Sequence, residues 1–229
     1  MSDLSEKSDP SENYKYMKEK NWKLGEIFAL HQELPAGCVA DLEAAAELVH
    51  VPRRRAIVRQ GDVCRAFYFN RNGLMRVVHE WDGGEETVVV GMGGDVFTSL
   101  HSWHAGLPSI FSLVSVEPTD VYVIEYADMR RLMGCWPQLW QWMCRLLAEQ
   151  VYGFERRYMF FARSDAEERY RNFMAERPDA LRRLSVKVVA QYLHIAPETL
   201  SRIRARIVRR KMQGRTPVRP CMGGVRNCR

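Results

Sequence analysis

The spacing of apolar residues divides the chain into a helical start, a β-rich middle and a helical end. Over residues 36–50 apolar side chains recur at helical spacing, which predicts an amphipathic helix. Over residues 51–126 the pattern changes to short β-branched and aromatic runs separated by glycines. Such runs are typical of a compact antiparallel barrel or sandwich, and Asp82-Gly83 between two of them predicts a hairpin turn.

Beyond residue 137 the apolar residues follow alternating steps of four and three. The stripe extends over three heptads and consists of Trp140, Cys144, Leu147, Val151, Phe154, Tyr158 and Phe161. A stripe this narrow usually packs against a like helix. We therefore predict a helix that forms a parallel homodimer, with Trp140 and nearby residues packing on the β-rich part. The alternative is a helix that lies on its own β domain.

The last third of the chain predicts a series of shorter helices. A break at residues 163–165 offers Ser164 or Asp165 as an N-cap, and the helix that follows is expected to stop at Pro178. Residues 184–210 then predict two helices joined by a short turn, with Pro197 in the first turn of the second helix.

The second helix of this pair has polar and apolar residues on opposite faces. At about 100° per residue, one face contains Glu198, Ser201, Arg202 and Ala205, and the other contains Leu200, Ile203 and Ile207. The polar face presents a carboxylate, a hydroxyl and a guanidinium, which are groups that read base edges in a major groove. Five basic residues are expected to contact DNA phosphates: Arg204, Arg206, Arg209, Arg210 and Lys211. A solvent-exposed helix without a DNA role is the alternative.

The distribution of charge supports a polyanionic partner. The chain contains 34 basic residues (Lys and Arg) and 28 acidic residues (Asp and Glu). Residues 164–229 contain 16 of the basic and 6 of the acidic residues. Residues 1–163 therefore contain 18 and 22 (34 − 16 and 28 − 6) and are mildly acidic. Lys and Arg that neutralise phosphates release counterions. A solvated basic tail would give the same composition.

Cysteine usage and the N-terminal sequence favour a cytoplasmic protein. The six cysteines are scattered and form no CxxC pair, which weakly indicates a reducing compartment. Residues 1–20 have no apolar core, so we expect a mobile tail instead of a secretory signal. No apolar run reaches membrane-spanning length, so no membrane partner is expected.

Several motifs occur together in a recognisable order. The run ETLSRI at 198–203 is close to the recognition-helix core of the cyclic-AMP receptor protein/fumarate-nitrate regulator (Crp/Fnr) family of bacterial transcription factors. The runs RQGD at 59–62, AFYFNRNGLMRV at 66–77, DGGEE at 82–86 and GMGGDVF at 91–97 follow the spacing of that family's effector barrel. The chain therefore resembles the Crp/Fnr family over about residues 36–210, and most of all its Bacteroidetes-type members.

The resemblance implies an α+β fold with five segments. These are a mobile tail (1–20), an N-terminal antiparallel β-roll of the cyclic-nucleotide-binding, jelly-roll type with flanking helices (21–135), a long dimerisation helix (136–163), a helix-turn-helix DNA-binding domain (164–212) and a basic tail or short wing (213–229). The implied partners are double-stranded DNA with an inverted-repeat operator, a second copy of the chain, and RNA polymerase.

The resemblance also implies which residues read DNA. Glu198 and Arg202 would contact bases, and Thr199 and Ser201 would contact bases or backbone. The sequence departs from the family at two positions. His194 replaces the turn glycine of many such motifs, although His enters the left-handed region more readily than most residues. Pro197 replaces a basic residue often found at the helix start, so the operator is expected to differ.

The residues expected to line the effector pocket argue against cyclic AMP. By resemblance, the pocket would include Gly94, Asp95, Val96, Phe97, Ser109 and Ile110. In cyclic-nucleotide binders an arginine holds the cyclic phosphate, but that position falls near Ser109, and residues 77–129 contain no Lys or Arg. A buried phosphate there would lack charge-assisted hydrogen bonds. We therefore expect an effector other than cyclic AMP, or none.

Metal and cofactor chemistry finds little support. The cysteines lack the clustered N-terminal spacing of oxygen-sensing iron–sulfur relatives. His101 and His104 have no adjacent carboxylate or thiolate, so we interpret them as polar loop residues and predict no metal site and no cofactor. An enzyme of the cupin type would need more ligands than these two, so we predict a DNA-binding regulator and not an enzyme. The alternative is a small-molecule-binding β-roll whose basic helical tail is an interaction module without DNA specificity.

Overall fold

The β-rich middle of the chain folds into two antiparallel sheets. The structure is a computed structural model that describes residues 20–213, with the backbone alone for residues 211–213. The described strands are β1 (Glu47–Val51), β2 (Ala56–Val58), β3 (Ala66–Asn70), β4 (Leu74–Trp81), β5 (Gly84–Met92), β6 (Val96–Phe97), β7 (Ser112–Ser115) and β8 (Thr119–Glu125). One sheet has the order β1-β8-β3-β6 and the other β2-β7-β4-β5.

Helices flank the sheets and form the C-terminal third. Those of the β-rich half are α1 (Leu24–Ala29), α2 (Ala36–Ala45), α3 (Leu100–Ala105) and α4 (Tyr126–Cys135). The remaining described helices are α5 (Gln138–Arg163), α6 (Ala166–Glu176), α7 (Pro178–Arg183), α8 (Val186–Tyr192) and α9 (Pro197–Gln213). This arrangement confirms the predicted α+β class.

The hairpin predicted at Asp82-Gly83 is confirmed. Trp81 pairs with Gly84 across the turn, and the pairing of β4 with β5 continues to Leu74 and Met92. Gly83 has a φ of +98°, a conformation that L side chains adopt only with strain. The glycine is therefore required by the backbone of this turn.

The helix predicted over residues 36–50 is wrong in its second half. Helix α2 ends at Ala45, and β1 begins at Glu47 and pairs with β8, for example Val49 with Val121. Apolar residues at 46 and 49 fit a helical period, but the partner strand determines the conformation instead. The short helix α7, with Pro178 as its first residue, was also absent from the prediction.

The long helix α5 packs one face into the core of the β-rich half. Leu139, Trp142, Met143 and Leu146 are buried. The Trp142 ring lies 4.5 Å from the Phe28 ring and 6.1 Å from the Phe69 ring, measured between centroids. Trp140 is 55% exposed, so the prediction that Trp140 packs on the β-rich part is wrong. The two tryptophans are about 200° apart around the helix, and the buried one is Trp142.

Most of the apolar stripe predicted on α5 faces away from this core. Cys144 is exposed, Val151, Phe154 and Tyr158 are 57%, 53% and 74% exposed, and Leu147 and Phe161 are half-buried. The alternative, a helix that lies on its own β domain, holds for the first half of α5 but not for these exposed residues of the stripe. Dimerisation itself stays a prediction.

A second core joins the C-terminal helices to the sheet β2-β7-β4-β5. Leu74, Val90 and Met92 of β4 and β5 are buried in one cluster with residues of α6, α8 and α9. Met75, the residue after Leu74, is buried in the other core. Because successive strand residues point to opposite faces, this sheet is covered on both sides.

Two of the predicted segments lie outside the described residues. These are the mobile N-terminal tail, apart from residue 20, and the basic tail or wing after residue 213 with Cys221 and Cys228. None of the described helices is both long and apolar enough to cross a membrane.

Candidate nucleic-acid interface

Helices α8 and α9 are joined by a turn whose backbone is fixed by local hydrogen bonds. The Ser185 hydroxyl accepts a hydrogen bond from the Val188 N–H and caps α8. His194 has a φ of 51°, and its N–H donates to the Gln191 carbonyl at 3.0 Å. The Ile195 N–H donates to the Ala190 carbonyl at 3.0 Å. His194 therefore takes the left-handed conformation expected of the residue that replaces the turn glycine.

The apolar face of α9 is buried as predicted. Leu200, Ile203 and Ile207 are 0%, 4% and 6% exposed. They share a core cluster with Val189 and Ala190 of α8. This packing determines which side of α9 remains open to solvent.

The open side of α9 carries the residues predicted to read bases. Glu198, Ser201 and Arg202 are exposed and Thr199 is half-buried. The Ser201 hydroxyl donates to the Pro197 carbonyl at 3.0 Å, and Arg202 Nη2 donates to the Thr199 hydroxyl at 3.2 Å. These contacts stay within α9, so the structure brings the four side chains together on one accessible face.

The predicted phosphate-contacting arginines differ in their surroundings. Arg206, Arg209 and Arg210 are all exposed, but Arg206 and Arg210 each donate Nη1 to the carboxylate of Glu167 in α6. The guanidinium of Arg204 lies 5.5 Å above the Tyr170 ring. The side chain of Lys211 lies outside the described residues. Glu167 is a residue that the sequence reasoning missed, because it is 39 residues away from Arg206 along the chain.

A polar cluster connects α8 to the β4–β5 hairpin. Gln191 Nε2 donates to the Glu85 carbonyl at 2.9 Å, and Gln191 Oε1 accepts from the buried Thr87 hydroxyl at 3.1 Å. Arg76 Nη2 donates to the Glu85 carboxylate at 3.1 Å. Burial would raise the pKa of Glu85, but the hydrogen bond and charge of Arg76 hold it below its ordinary value.

The turn residue His194 contacts the same hairpin and the end of α5. Its Nδ1 lies 2.7 Å from the Glu86 carboxylate, and its ring lies edge-on to Phe161, 5.0 Å between centroids. Burial is the largest cause of a pKa below the ordinary value for His194. The charges of Arg157 and Arg169 lower it further, while Glu86 opposes them.

The residues predicted for the effector pocket lie in two different surroundings. Gly94 and Asp95 form the turn between β5 and β6, where the Asp95 carboxylate accepts from the Met92 N–H at 2.7 Å and lies 3.6 Å from Arg177 Nη1. Val96 and Phe97 form β6 itself. Ser109 follows α3, next to the exposed Ile110, and its N–H donates to the Asp62 carbonyl.

Hydroxyl groups near α3 already have main-chain partners. The Ser109 hydroxyl donates to the Phe111 carbonyl at 2.7 Å, and the Ser102 hydroxyl donates to the Leu107 carbonyl at 2.7 Å. The Ser102 hydroxyl also accepts from the Cys64 N–H at 3.0 Å. The Ser102 and Ser109 hydroxyls therefore hold the chain around α3 in place. None of these hydrogen bonds directs a hydroxyl toward an open cavity.

A cleft of about 390 Å³ lies apart from the predicted effector residues, where the β-rich half meets α7. Its lining is mostly polar and includes His50, Asn72, Glu117, Asp120 and Arg183. None of the predicted effector residues lines it. Within residues 20–213, no group of three or more His, Cys, Asp and Glu side chains is placed to hold a metal ion.

Comparison with known proteins identifies the β-rich half. Residues 48–134 match the cyclic nucleotide-binding domain family. This part of the chain is similar to cyclic nucleotide-binding domains. The matched residues include all eight described strands except the first residue of β1, together with α3 and most of α4. No curated protein matches the sequence.

Solved structures extend the likeness beyond the cyclic nucleotide-binding domain. The c-di-GMP-responsive global regulator CLP of Xanthomonas campestris has a TM-score of 0.65 at 15% identity, covering 77% of this chain and 93% of its own. FixK2 of Bradyrhizobium japonicum has a TM-score of 0.64 at 18% identity, and the match covers 72% of this chain and 86% of FixK2. A CooA mutant of Carboxydothermus hydrogenoformans has a TM-score of 0.61 at 14% identity, and the match covers 85% of this chain and 88% of CooA. These neighbours come from the Crp/Fnr regulator family, and at these identities the likeness establishes the fold.

Proposed function

We propose that the chain is a dimeric, sequence-specific DNA-binding transcription regulator of the Crp/Fnr type, on the Bacteroidetes-like branch that residues 167–204 resemble. The observation that carries the proposal is the open face of α9. Its carboxylate, hydroxyl and guanidinium groups are exposed, while the opposite face is buried against α8. A fold that exposes base-reading groups on a firmly packed helix is suited to insertion into a major groove.

In the proposed complex α9 is the recognition helix of a helix-turn-helix. Glu198 and Arg202 contact base edges, and Thr199 and Ser201 contact bases or backbone. Arg204, Arg206, Arg209, Arg210 and Lys211 face phosphates, which position the protein without reading sequence. The left-handed turn at His194 supports this assignment, because it lets α8 and α9 pack closely enough to bury Leu200.

The dimer of this proposal forms along α5. The exposed residues of the apolar stripe, Cys144, Val151, Phe154 and Tyr158, keep heptad spacing, whereas Leu147 packs against the core of the β-rich half. A second copy of the same helix, in parallel, has the matching repeat. Two-fold symmetry then requires an inverted-repeat operator with half-sites about one helical turn apart.

The effector of the proposed regulator is unknown and differs from cyclic AMP. A cyclic phosphate near Ser109 would meet hydroxyls that already bond to main-chain carbonyls. It would also meet no Lys or Arg from residues 77–129. Desolvation of the phosphate would therefore go uncompensated. A bacterial regulator of this kind acts in the cytoplasm, with RNA polymerase as its further partner.

Selection of genomic fragments by the purified full chain tests the proposal. At physiological salt, without added ligand, we expect enrichment of an inverted repeat. Arg202→Ala should lose the repeat at one symmetric pair of positions, whereas Arg209→Ala should keep it. Salt-sensitive binding without any motif, with or without cell extract, would favour the alternative of a β-roll with a non-specific basic module.

A further inference from the structure

Glu167, near the start of α6, contacts three arginines at once. Its Oε1 accepts from Arg171 Nη2 at 2.8 Å and from Arg210 Nη1 at 2.9 Å, and its Oε2 accepts from Arg206 Nη1 at 3.1 Å. Arg171 lies on α6 itself, one turn after Glu167, whereas Arg206 and Arg210 lie on α9. One carboxylate thus connects two helices of the C-terminal third.

The position of this cluster relates it to the proposed recognition face, on which the inference below rests. Arg206 and Arg210 follow Arg202 at intervals of four residues, so the three side chains form a stripe that turns slowly around α9. Each step advances about 6 Å along the helix. DNA lying against Glu198 and Arg202 therefore brings its backbone beside Arg206 and Arg210.

We infer that Glu167 restrains the sequence-independent part of DNA binding, by holding Arg206 and Arg210 and by placing a fixed negative charge beside the phosphates. The Glu167 side chain is 17% exposed, and Arg171, one helix turn later, holds its carboxylate in place. The carboxylate therefore stays at the interface when Arg206 and Arg210 turn toward phosphates. The hydrogen bond from Arg171 keeps the pKa of Glu167 below its ordinary value, so the group is ionised at neutral pH.

A second effect works in the opposite direction. By holding Arg206 and Arg210, Glu167 also orders them, which reduces the entropy lost on binding. However, these side chains are 57% and 60% exposed, and each is held through one nitrogen of its guanidinium. Exposed ion pairs of this kind order side chains weakly. Repulsion between the fixed carboxylate and the phosphates therefore outweighs the ordering.

Glu167→Gln tests the inference on the full-length protein, with a random-sequence DNA duplex as the probe. We expect affinity to rise about three- to tenfold near 0.1 M salt. We also expect the slope of log K against log salt to steepen by up to about 0.9 for each phosphate newly contacted. Glu168→Gln is the matched control. It removes the same charge from the same helix turn, but Glu168 is exposed and has no ion pair with an arginine of the described chain.

A double-mutant comparison identifies the source of the gain. In an Arg206→Gln/Arg210→Gln background, Glu167→Gln should raise affinity by less than in wild type, because only the repulsion between the carboxylate and the phosphates is then relieved and no arginine is released. A comparison that does not depend on the folding of the Glu167 variant is also available. In the otherwise wild-type chain, Arg210→Gln should weaken binding less than Arg209→Gln, since Glu167 already restrains Arg210. Circular dichroism verifies the helix content of every variant.

Three results would overturn the inference. Glu167→Gln could bind no more tightly than wild type, Glu168→Gln could produce an equal gain, or the gain could be just as large without Arg206 and Arg210. If the Glu167 variant unfolds, the two arginine variants still test the inference. Equal losses of DNA affinity in folded Arg209→Gln and Arg210→Gln would overturn it. If wild type and all variants fail to bind any DNA, the proposed function fails and not this inference alone.

Discussion

The side-chain amide of Gln191 in α8 donates to the main-chain carbonyl of Glu85 in β5 at 2.9 Å. The same side chain accepts a hydrogen bond from Thr87, whose surface is fully buried. One glutamine thus satisfies two polar groups at the boundary between the cyclic nucleotide-binding domain and the C-terminal helices. The position of α8, and through it of α9, is therefore tied to the β4–β5 hairpin.

Removal of this side chain should destabilise the protein. We expect Gln191→Ala to lower the free energy of unfolding by about 1–3 kcal/mol, because the buried Thr87 hydroxyl loses its acceptor and the half-buried Glu85 carbonyl loses this donor. Urea unfolding followed by circular dichroism measures the change. Lys187→Ala is the control, since its ion pair with Glu85 is solvent-exposed and should matter by less than about 0.5 kcal/mol. Equal effects of the two substitutions would contradict the proposed importance of Gln191.

Base reading and phosphate contact should separate in mutants of α9. Arg202→Ala should cost about 1–3 kcal/mol at the cognate site and relax base preference at one position. Arg209→Ala should weaken binding to every sequence and reduce the salt slope by about one unit. Titration of cognate and scrambled duplexes over a salt series distinguishes the two. If both variants lose affinity uniformly, Arg202 is a phosphate contact only.

The proposed parallel dimer places Cys144 next to its own copy. Residues at such a seam position face each other across the two-fold axis, within the Cα separation that a disulfide needs. With Cys135, Cys221 and Cys228 replaced by serine, mild oxidation should give a covalent dimer on a non-reducing gel. Cys38 and Cys64 are buried and can stay.

The control for this cross-link retains Cys135 in place of Cys144. Cys135 is exposed as well but lies at the end of α4, off the stripe. It should remain uncross-linked under the same conditions. An antiparallel or shifted pairing of α5 would leave Cys144 unreacted too.

The environment of His194 predicts a dependence of stability on pH. The pKa of His194 in the folded chain lies below its ordinary value of 6.5, so the unfolded chain binds protons more readily at mildly acidic pH. The free energy of unfolding should therefore fall as the pH drops through 6.5, until the folded-state pKa is reached. Urea unfolding at a series of pH values measures this loss.

His194→Asn provides the comparison, because asparagine also tolerates a left-handed backbone. The variant lacks the imidazole, so its stability should fall less than that of wild type between about pH 7 and pH 5. Parallel pH profiles of the two proteins would show that His194 does not contribute.

Local sequence signals predicted the parts of the structure that depend on local geometry. Asp82-Gly83 predicted a hairpin because the turn demands a positive φ at Gly83. The period of α9 correctly separated Leu200 and Ile203 from Glu198, because helical geometry alone assigns them to faces. The left-handed state of His194 followed from its place in the turn.

Contacts between distant segments were not predictable in the same way. The sequence does not indicate that Glu167 reaches Arg210, 43 residues later, because that contact depends on how α6 packs against α9. The helical spacing that ends at residue 50 does not predict strand β1, because the pairing of β1 with β8 is likewise non-local. Trp140 and Trp142 are both large and apolar, and the positions of the Phe28 and Phe69 rings in the folded chain show that Trp142 is the buried one.

The sheet that is covered on both sides limits how the chain can be divided. Leu74, Val90 and Met92 are at most 6% exposed because the C-terminal helices lie over them. A fragment that ends at residue 163 would present these three side chains to water on one sheet face. Such a fragment would self-associate through that face, so the isolated β-rich half needs polar substitutions at these positions before ligand binding to it can be tested.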